Sequence, residues 1–263
     1  MQINKWIKKV IRETDLDGLQ PGSPEFFKVQ ESIIQRKPLL KRSFLNFYKT
    51  FEADLKSAPS TSKLLTLELG SGGGFLREVV PDVITSDIYP TIADMTIDAR
   101  HLPFDEGTVR GIFMGSVLHH IPAVRLFFRE LQRVLVDGGV CAIIEPANTP
   151  FARFFYRKFH HEPFLPNEKL WEFEQNDAML DSNQALSWII FERDRKQFET
   201  QFPNLRIEKI LFLPTLGYLL SGGINYRTFI PNCFAKLVPS LETSLSFSNR
   251  YFSLAWYILI RKV

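Results

Sequence analysis

The segment Glu68-Leu69-Gly70-Ser71-Gly72-Gly73-Gly74 puts a carboxylate and four glycines at the end of a short apolar run, residues 64–69. Glycines at 70, 72 and 74 leave no Cβ between backbone and ligand, so this loop can turn tightly and approach a bound molecule closely. A dinucleotide fingerprint needs its last glycine at 75, where Phe75 stands, so the loop suits a nucleoside rather than a dinucleotide. Asp87 closes the next apolar segment, 19 residues beyond Glu68 and just before Ile88. A carboxylate at that place can accept from both hydroxyls of a ribose. Asp98 and Ala99 close a third segment. There a carboxylate can accept from an adenine amino group while the following N–H reads a ring nitrogen. Asp87 as a helix cap and Asp98 as a turn residue are the plainer alternatives.

Such loops need strands that end at them. Residues 64–69, 83–86, 95–97 and 109–117 are short apolar segments that fit buried strands, and 140–144 is a fifth, apolar throughout. Between the last two, Val124, Phe127, Phe128, Leu131, Val134 and Leu135 fall on one helical face, and Gly138-Gly139 reads as the pair that ends that helix. Alternating strands and helices predict an α/β fold, a mostly parallel sheet with helices on both faces. The tail adds a helix around 181–200 and strands at 205–213 and 251–260, expected as an antiparallel edge with short helices between them. Ahead of the sheet, Ser23-Pro24 looks like a helix start and 26–55 like one or two helices broken near Lys37-Pro38. The expected organisation is an N-terminal helical extension over 1–62 and one domain over 63–263.

The 263 residues carry 32 Lys and Arg against 29 Asp and Glu, and this surplus of +3 gives no electrostatic footprint for nucleic acid. Two cysteines exclude a disulfide scaffold and a Cys-rich zinc module; Cys141 and Cys233 read as reduced, packed thiols. No stretch approaches the ~20 uninterrupted apolar residues of a membrane span. Residues 1–10 lack the features of a signal peptide, so a cytoplasmic location is expected. Ile3, Trp6, Ile7, Val10 and Ile11 share one helical face, with Lys5, Lys8, Lys9 and Arg12 on the rest. Such a helix packs on its own protein or a partner subunit, or lies in a lipid headgroup layer.

Five motifs in order now make a pattern: E-x-G-x-G-x-G, an Asp ending the second strand, D-A-x-x-L-P-F at 98–104, V-L-H-H-I-P at 117–122 and R-V-L-x-x-G-G at 133–139. Together they resemble the class I S-adenosylmethionine-dependent methyltransferases, in particular the small-molecule group that includes the ubiquinone-pathway type. The resemblance is close over residues 64–146 and loose over the tail. It implies a Rossmann-like seven-stranded sheet, S-adenosylmethionine as cofactor and methyl transfer as activity. It also implies that Glu68, Gly70, Ser71, Gly72 and Gly74 cradle the methionine end, that Asp87 with Ile88 holds the ribose, and that Asp98 and Ala99 read the adenine. Ser116 and Val117, running to His119, would wall the pocket. Where relatives start the fourth strand with Asp-x-Val or Asp-x-Ile, this chain has Arg110-Gly111-Ile112, a structural departure far from the cofactor.

A hydroxyl acceptor needs a general base; a neutral amine or a stabilised carbanion need not have one. The candidates are His119, His120, Glu145, His160 and His161. Adjacent histidines are expected to point apart and to lack metal-clip spacing, so no metal is expected. Residues 150–166 (PFARFFYRKFHHEPFLP) fall where relatives insert a lid, here expected over about 150–178, with Phe154, Tyr156, Arg157 and His160 facing the acceptor. Aromatic and basic groups together suit an amphiphilic anionic acceptor, lipid-like or glycan; a helix packed on the core is the alternative. Two other functions compete with methyl transfer: a cofactor-binding protein without turnover, and an NAD-type oxidoreductase, which Phe75 argues against.

Overall fold

The computed structural model describes residues 12–90, 92–160, 162–175, 177–178 and 181–263. The amphipathic segment over 3–11 and the candidate base His161 lie outside them.

Ser23 caps the first helix, α1 (Pro24–Arg36), its Oγ accepting from the Phe26 amide at 3.2 Å. Lys37 is extended because a proline follows, and α2 (Pro38–Leu55) starts anew. Then come β1 (Leu65–Leu69), β2 (Val83–Asp87), β3 (Met95–Thr96), β4 (Val109–Gly115), α3 (Val124–Val134), β5 (Leu135–Pro146) and α4 (Pro150–Phe159). The tail holds α5 (Leu186–Trp188), a π turn (Ile189–Arg193), α6 (Arg195–Gln201), β6 (Leu205–Phe212), α7 (Leu216–Ser221), α8 (Asn232–Ala235), α9 (Val238–Ser244), α10 (Asn249–Phe252) and β7 (Ala255–Lys262).

The seven strands run in the order β3-β2-β1-β4-β5-β7-β6. β1 to β5 pair in parallel, and β7 is antiparallel to both β5 and β6. The order reverses between β1 and β4, and a crevice opens beyond the carboxyl ends of strands at such a point. Alternate side chains feed two cores. Leu67, Ile112, Met114, Cys141 and Ile143 pack under α3 and the 185–207 segment. Phe113, Ala142, Ile144, Tyr257 and Leu259 pack under α1 and α2.

Three expectations need correction. The Gly138-Gly139 pair does not end α3. The helix stops at Val134, Leu135 turns extended, and Gly138 takes its left-handed φ of 80° inside the first residues of β5. The helix expected over 181–200 begins only at Leu186, because the Asn183 side chain accepts from the amides of Ala185 and Leu165, both at 3.0 Å, and so holds a turn. Cys141 and Cys233 are both free thiols, but Cys233 is exposed on α8 rather than packed. Arg110 is explained here. Its guanidinium donates to Pro59 O at 2.8 Å and Leu55 O at 2.9 Å, tying the carboxyl end of α2 to the sheet.

Candidate active site

The β1 loop is built by close approach. Gly70 has a φ of 72°, and a Cβ there would meet Val117 Cγ2 at 2.2 Å. A Cβ on Gly73 would meet the backbone of α1, 2.6 Å from Glu31 N. Phe75, in the place of a third fingerprint glycine, is buried against Tyr48 with ring centroids 5.1 Å apart and donates its amide to Tyr48 Oη at 3.2 Å. The loop is therefore anchored to α2 instead of opening for a second nucleotide.

Asp87 sits across this loop, its Oδ2 accepting from Gly72 N at 3.0 Å and its Oδ1 from Tyr89 N at 3.2 Å. It caps no helix. Burial pushes its pKa up, against those amide bonds. Asp98 has both oxygens engaged by Arg100, which donates Nε at 2.9 Å and Nη2 at 2.6 Å, and its pKa is lowered because that pairing outweighs partial burial. Glu68 is 3% exposed, and its Oε2 has no hydrogen bond among the described residues. Burial first, and then Asp87, raises its pKa to about 7. Ser116 holds a positive φ of 58°, an unusual strain for a non-glycine residue that turns the chain after β4 toward the crevice.

These groups line a cavity of about 570 Å³. Glu68, Gly70, Ser71, Gly72, Gly74, Asp87, Ile88, Asp98, Ala99, Ser116 and Val117 all lie on its wall, as do His119, His120 and Glu145. Of the expected lid, Tyr156 and His160 face the cavity, whereas Phe154 and Arg157 do not. The 3.6-residue period of α4 turns 152, 155 and 156 inward or sideways and leaves 153, 154, 157, 158 and 159 outside.

A charged cluster lies beyond the cofactor loops. Glu145, fully buried at the end of β5, accepts from Leu118 N at 2.8 Å through Oε1 and faces His119 Nδ1 at 2.6 Å through Oε2. His119 Nε2 faces Glu162 Oε2 at 3.2 Å, which also accepts from Ser182 Oγ and Gln184 Nε2, both at 3.1 Å. Burial alone would favour neutral His119, but the two carboxylates outweigh it and raise its pKa to about 10. The same contact holds Glu162 well below the usual carboxylate range against its own burial. His160 Nδ1 accepts from Gln184 Nε2 at 2.8 Å and from Glu162 N at 3.3 Å, so its ring proton sits on Nε2. Gln184 is 2% exposed, and its Oε1 has no hydrogen bond among the described residues.

The argument that adjacent histidines diverge fails for His119 and His120. A 3₁₀ turn (Leu118–His120) replaces strand alternation there and brings the rings to 4.3 Å. One ligand atom each from His119, His120 and Glu162 lies within 4.8 Å of the others. Glu162, Gln184, Tyr48 and Tyr218 were not singled out by motif. Only Glu162, beside the 160–161 histidine pair, carries a signal in sequence; the others arrive by folding of distant segments.

Comparisons with known proteins bear on the fold. Residues 67–143 match the family model described as a methyltransferase domain. The ubiquinone/menaquinone biosynthesis C-methyltransferase of Desulfotalea psychrophila is 28% identical over 93 residues, 33% of this chain and 38% of that protein. The match therefore spans well under half the length of that curated relative. The geranyl diphosphate C-methyltransferase of Streptomyces coelicolor A3(2), solved with Mg2+, geranyl diphosphate and S-adenosyl-L-homocysteine, superposes with a TM-score of 0.52 at 14% identity, over 96% of this chain and 89% of that one. Its complex with geranyl-S-thiolodiphosphate gives 0.52 at 15%, over 96% and 85%. These likenesses show the fold. The buried Glu68 oxygen, without a hydrogen bond among the described residues, and the tightly packed glycine loop beside it fit the cofactor such domains use. The chain has the Rossmann-like fold of such methyltransferases, and its likeness to a methyltransferase domain is carried by residues 67–143.

Proposed function

We propose that the protein transfers a methyl group to a hydroxyl of an amphiphilic, lipid-like acceptor. One observation carries this reading. The cavity that begins at the glycine loop is walled on its other side by Phe155, Tyr156, Leu213, Tyr218 and Leu254, with His120, His160, Glu162 and Gln184 among its polar groups. Apolar walls with a few converging polar groups suit an acceptor with one reactive polar end.

When bound, S-adenosylmethionine supplies an electrophilic methyl group, whose transfer to the acceptor oxygen breaks its C–S bond and leaves S-adenosylhomocysteine. Glu68 pairs with the cofactor ammonium and Asp87 with the ribose hydroxyls. Gln184 Oε1 accepts from the incoming hydroxyl and the Nε2–H of His160 donates to its oxygen, until the hydroxyl hydrogen turns from Gln184 to His120. Both ring nitrogens of His119 are taken up by Glu145 and Glu162, and both oxygens of Glu145 are engaged. His120 is then the residue that takes the hydroxyl proton as the C–O bond forms, while His119 and Glu145 position it.

The test is transfer of labelled methyl from S-adenosylmethionine to a lipid extract, followed by phase separation. Label should enter the organic phase, vanish with Asp87→Ala, and fall about 100-fold with His120→Gln, the usual scale of general-base loss. Label confined to the aqueous phase would replace the lipid-like acceptor with a polar one. Cofactor binding without transfer would leave a binding protein.

A further inference from the structure

Among the described residues, the segment after β6 leaves an apolar face uncovered. Phe234 on α8, Leu237 after it, Leu241 on α9, Phe247 in the 3₁₀ turn Ser246–Ser248, Phe252 on α10 and Phe154 on α4 are each more than half exposed, Phe247 by 80%. The elements that carry them are neighbours. α8 touches α9, α9 and α10 touch the 3₁₀ turn, and α10 packs on α4, where the rings of Phe151 and Phe252 lie 6.1 Å apart. The exposed groups thus form one belt, and a monomer rarely shows so many apolar side chains together without a surface to bury them.

The charges say which surface. Residues 150–159 and 227–252 contain Arg153, Arg157, Lys158, Arg227, Lys236 and Arg250 against a single carboxylate, Glu242. All six cations are exposed, and none has an ion pair among the described residues. Glu242 turns inward, accepting from Gly217 N at 2.8 Å. We propose that this belt docks the protein on an anionic phospholipid surface, its aromatic and leucine side chains entering the headgroup layer and its cations meeting lipid phosphates. A second copy is a poor occupant, because a two-fold contact would set these cations against themselves. No described helix is long and apolar enough to cross a membrane, so the contact is peripheral. The belt also adjoins the cavity: α4 shows Phe154 outward and Phe155 and Tyr156 to the cavity. A lipid acceptor could therefore pass from the bilayer along α4. That purpose rests on the proposed acceptor, whereas the docking itself does not.

The test is flotation of the full chain with vesicles of phosphatidylcholine alone and with about 30% phosphatidylglycerol, a content that gives a clear negative surface potential. The protein should float with the anionic vesicles and at least about ten-fold less with neutral ones, the loss growing with salt. Phe247→Ser with Leu237→Ser should abolish flotation. Lys158→Gln, Lys236→Gln and Arg250→Gln should each cost roughly five-fold on anionic vesicles. Thermal melts establish that the variants fold. Absence of flotation, or flotation unchanged in both variant sets, would overturn the proposal. So would a dimer in sedimentation velocity that Phe247→Ser with Leu237→Ser dissolves while vesicles stay unbound. Flotation without methyl transfer to lipid would overturn the acceptor reading alone.

Discussion

Glu68 is an almost wholly buried carboxylate at the cavity wall, and its pKa, raised to about 7, has two consequences. Below about pH 4.5 it is protonated in the folded and the unfolded chain alike. Between there and 7 the unfolded chain ionises first, so the buried group costs stability as pH rises, and the cost is complete above 7. Glu68→Gln should therefore melt higher than the parent protein at about pH 8, and the gap should close toward about pH 5. Binding should show the opposite trend. The proposed ammonium partner needs the ionised form, so affinity for S-adenosylhomocysteine, measured by calorimetry, should rise through pH 7 in the parent and stay flat and about ten-fold or more weaker in Glu68→Gln. His119 has the reverse sign. Its folded pKa near 10 lies above the unfolded value of about 6.5, so the stabilisation is full below 6.5 and is lost as pH rises through 10. Glu162, depressed by the same pair, contributes above about 4.5 and loses that contribution as pH falls. Urea unfolding from about pH 6 to 10 should show stability falling on the alkaline side, with the slope removed in His119→Gln. That variant leaves a buried carboxylate without its cation and should lose about 3–5 kcal/mol near pH 6.

At the scale of elements, the strands that carry the cofactor loops are legible in the sequence, because buried parallel strands are short apolar runs and each ends at a residue with chemistry to do. The two helices before the sheet are legible too, through Ser23-Pro24 and Lys37-Pro38. The signals fail where a local choice is settled by distant contacts. Gly138 carries a helix-stop signature, yet the pairing of Leu135 with Val109 draws the chain into β5 first. The face that α4 turns to the cavity is set by Tyr156 donating to Leu254 O at 2.7 Å, a contact 98 residues away that the lid sequence does not announce. Arg110 shows the same logic in reverse, a residue whose partners sit at the end of α2 and just beyond it. Arg110→Ala should lower stability by about 1–2 kcal/mol through its lost carbonyl bonds, and Arg110→Lys should recover only part, since one ammonium cannot reproduce the guanidinium fork. Cofactor affinity should not change in either variant, because Arg110 lies at the end of β4 opposite Ser116. A matching loss of affinity would mean that α2 transmits strain to the Phe75 anchor.

Across the whole molecule, the site belongs to no single element. The cavity is closed by α1 and α2 through Phe27 and Tyr48, by the sheet through Glu68 and Glu145, and by the tail through Leu213, Tyr218 and Leu254. Cofactor chemistry was visible in one contiguous stretch of sequence, since a loop that binds a nucleoside is a local object. The proposed acceptor end was not, because that part of the cavity is assembled from segments near residues 119, 156, 184, 218 and 254. This division predicts how ligand binding couples to stability. A ligand that touches only the folded chain stabilises it by about 2.7 kcal/mol at a hundred times its dissociation constant. For a domain of this size that is roughly 5–10 °C in melting temperature. S-adenosylhomocysteine should raise the melting temperature of the parent by that amount and leave Asp87→Ala unchanged at the same concentration. Because α1 and α2 help close the cavity, the shift should appear in one cooperative transition, read equally by far-ultraviolet circular dichroism and by fluorescence of the buried Trp171 and Trp256. A ligand-insensitive first transition, followed by a ligand-sensitive second one, would instead mean that the N-terminal helices melt apart from the sheet and do not share its site.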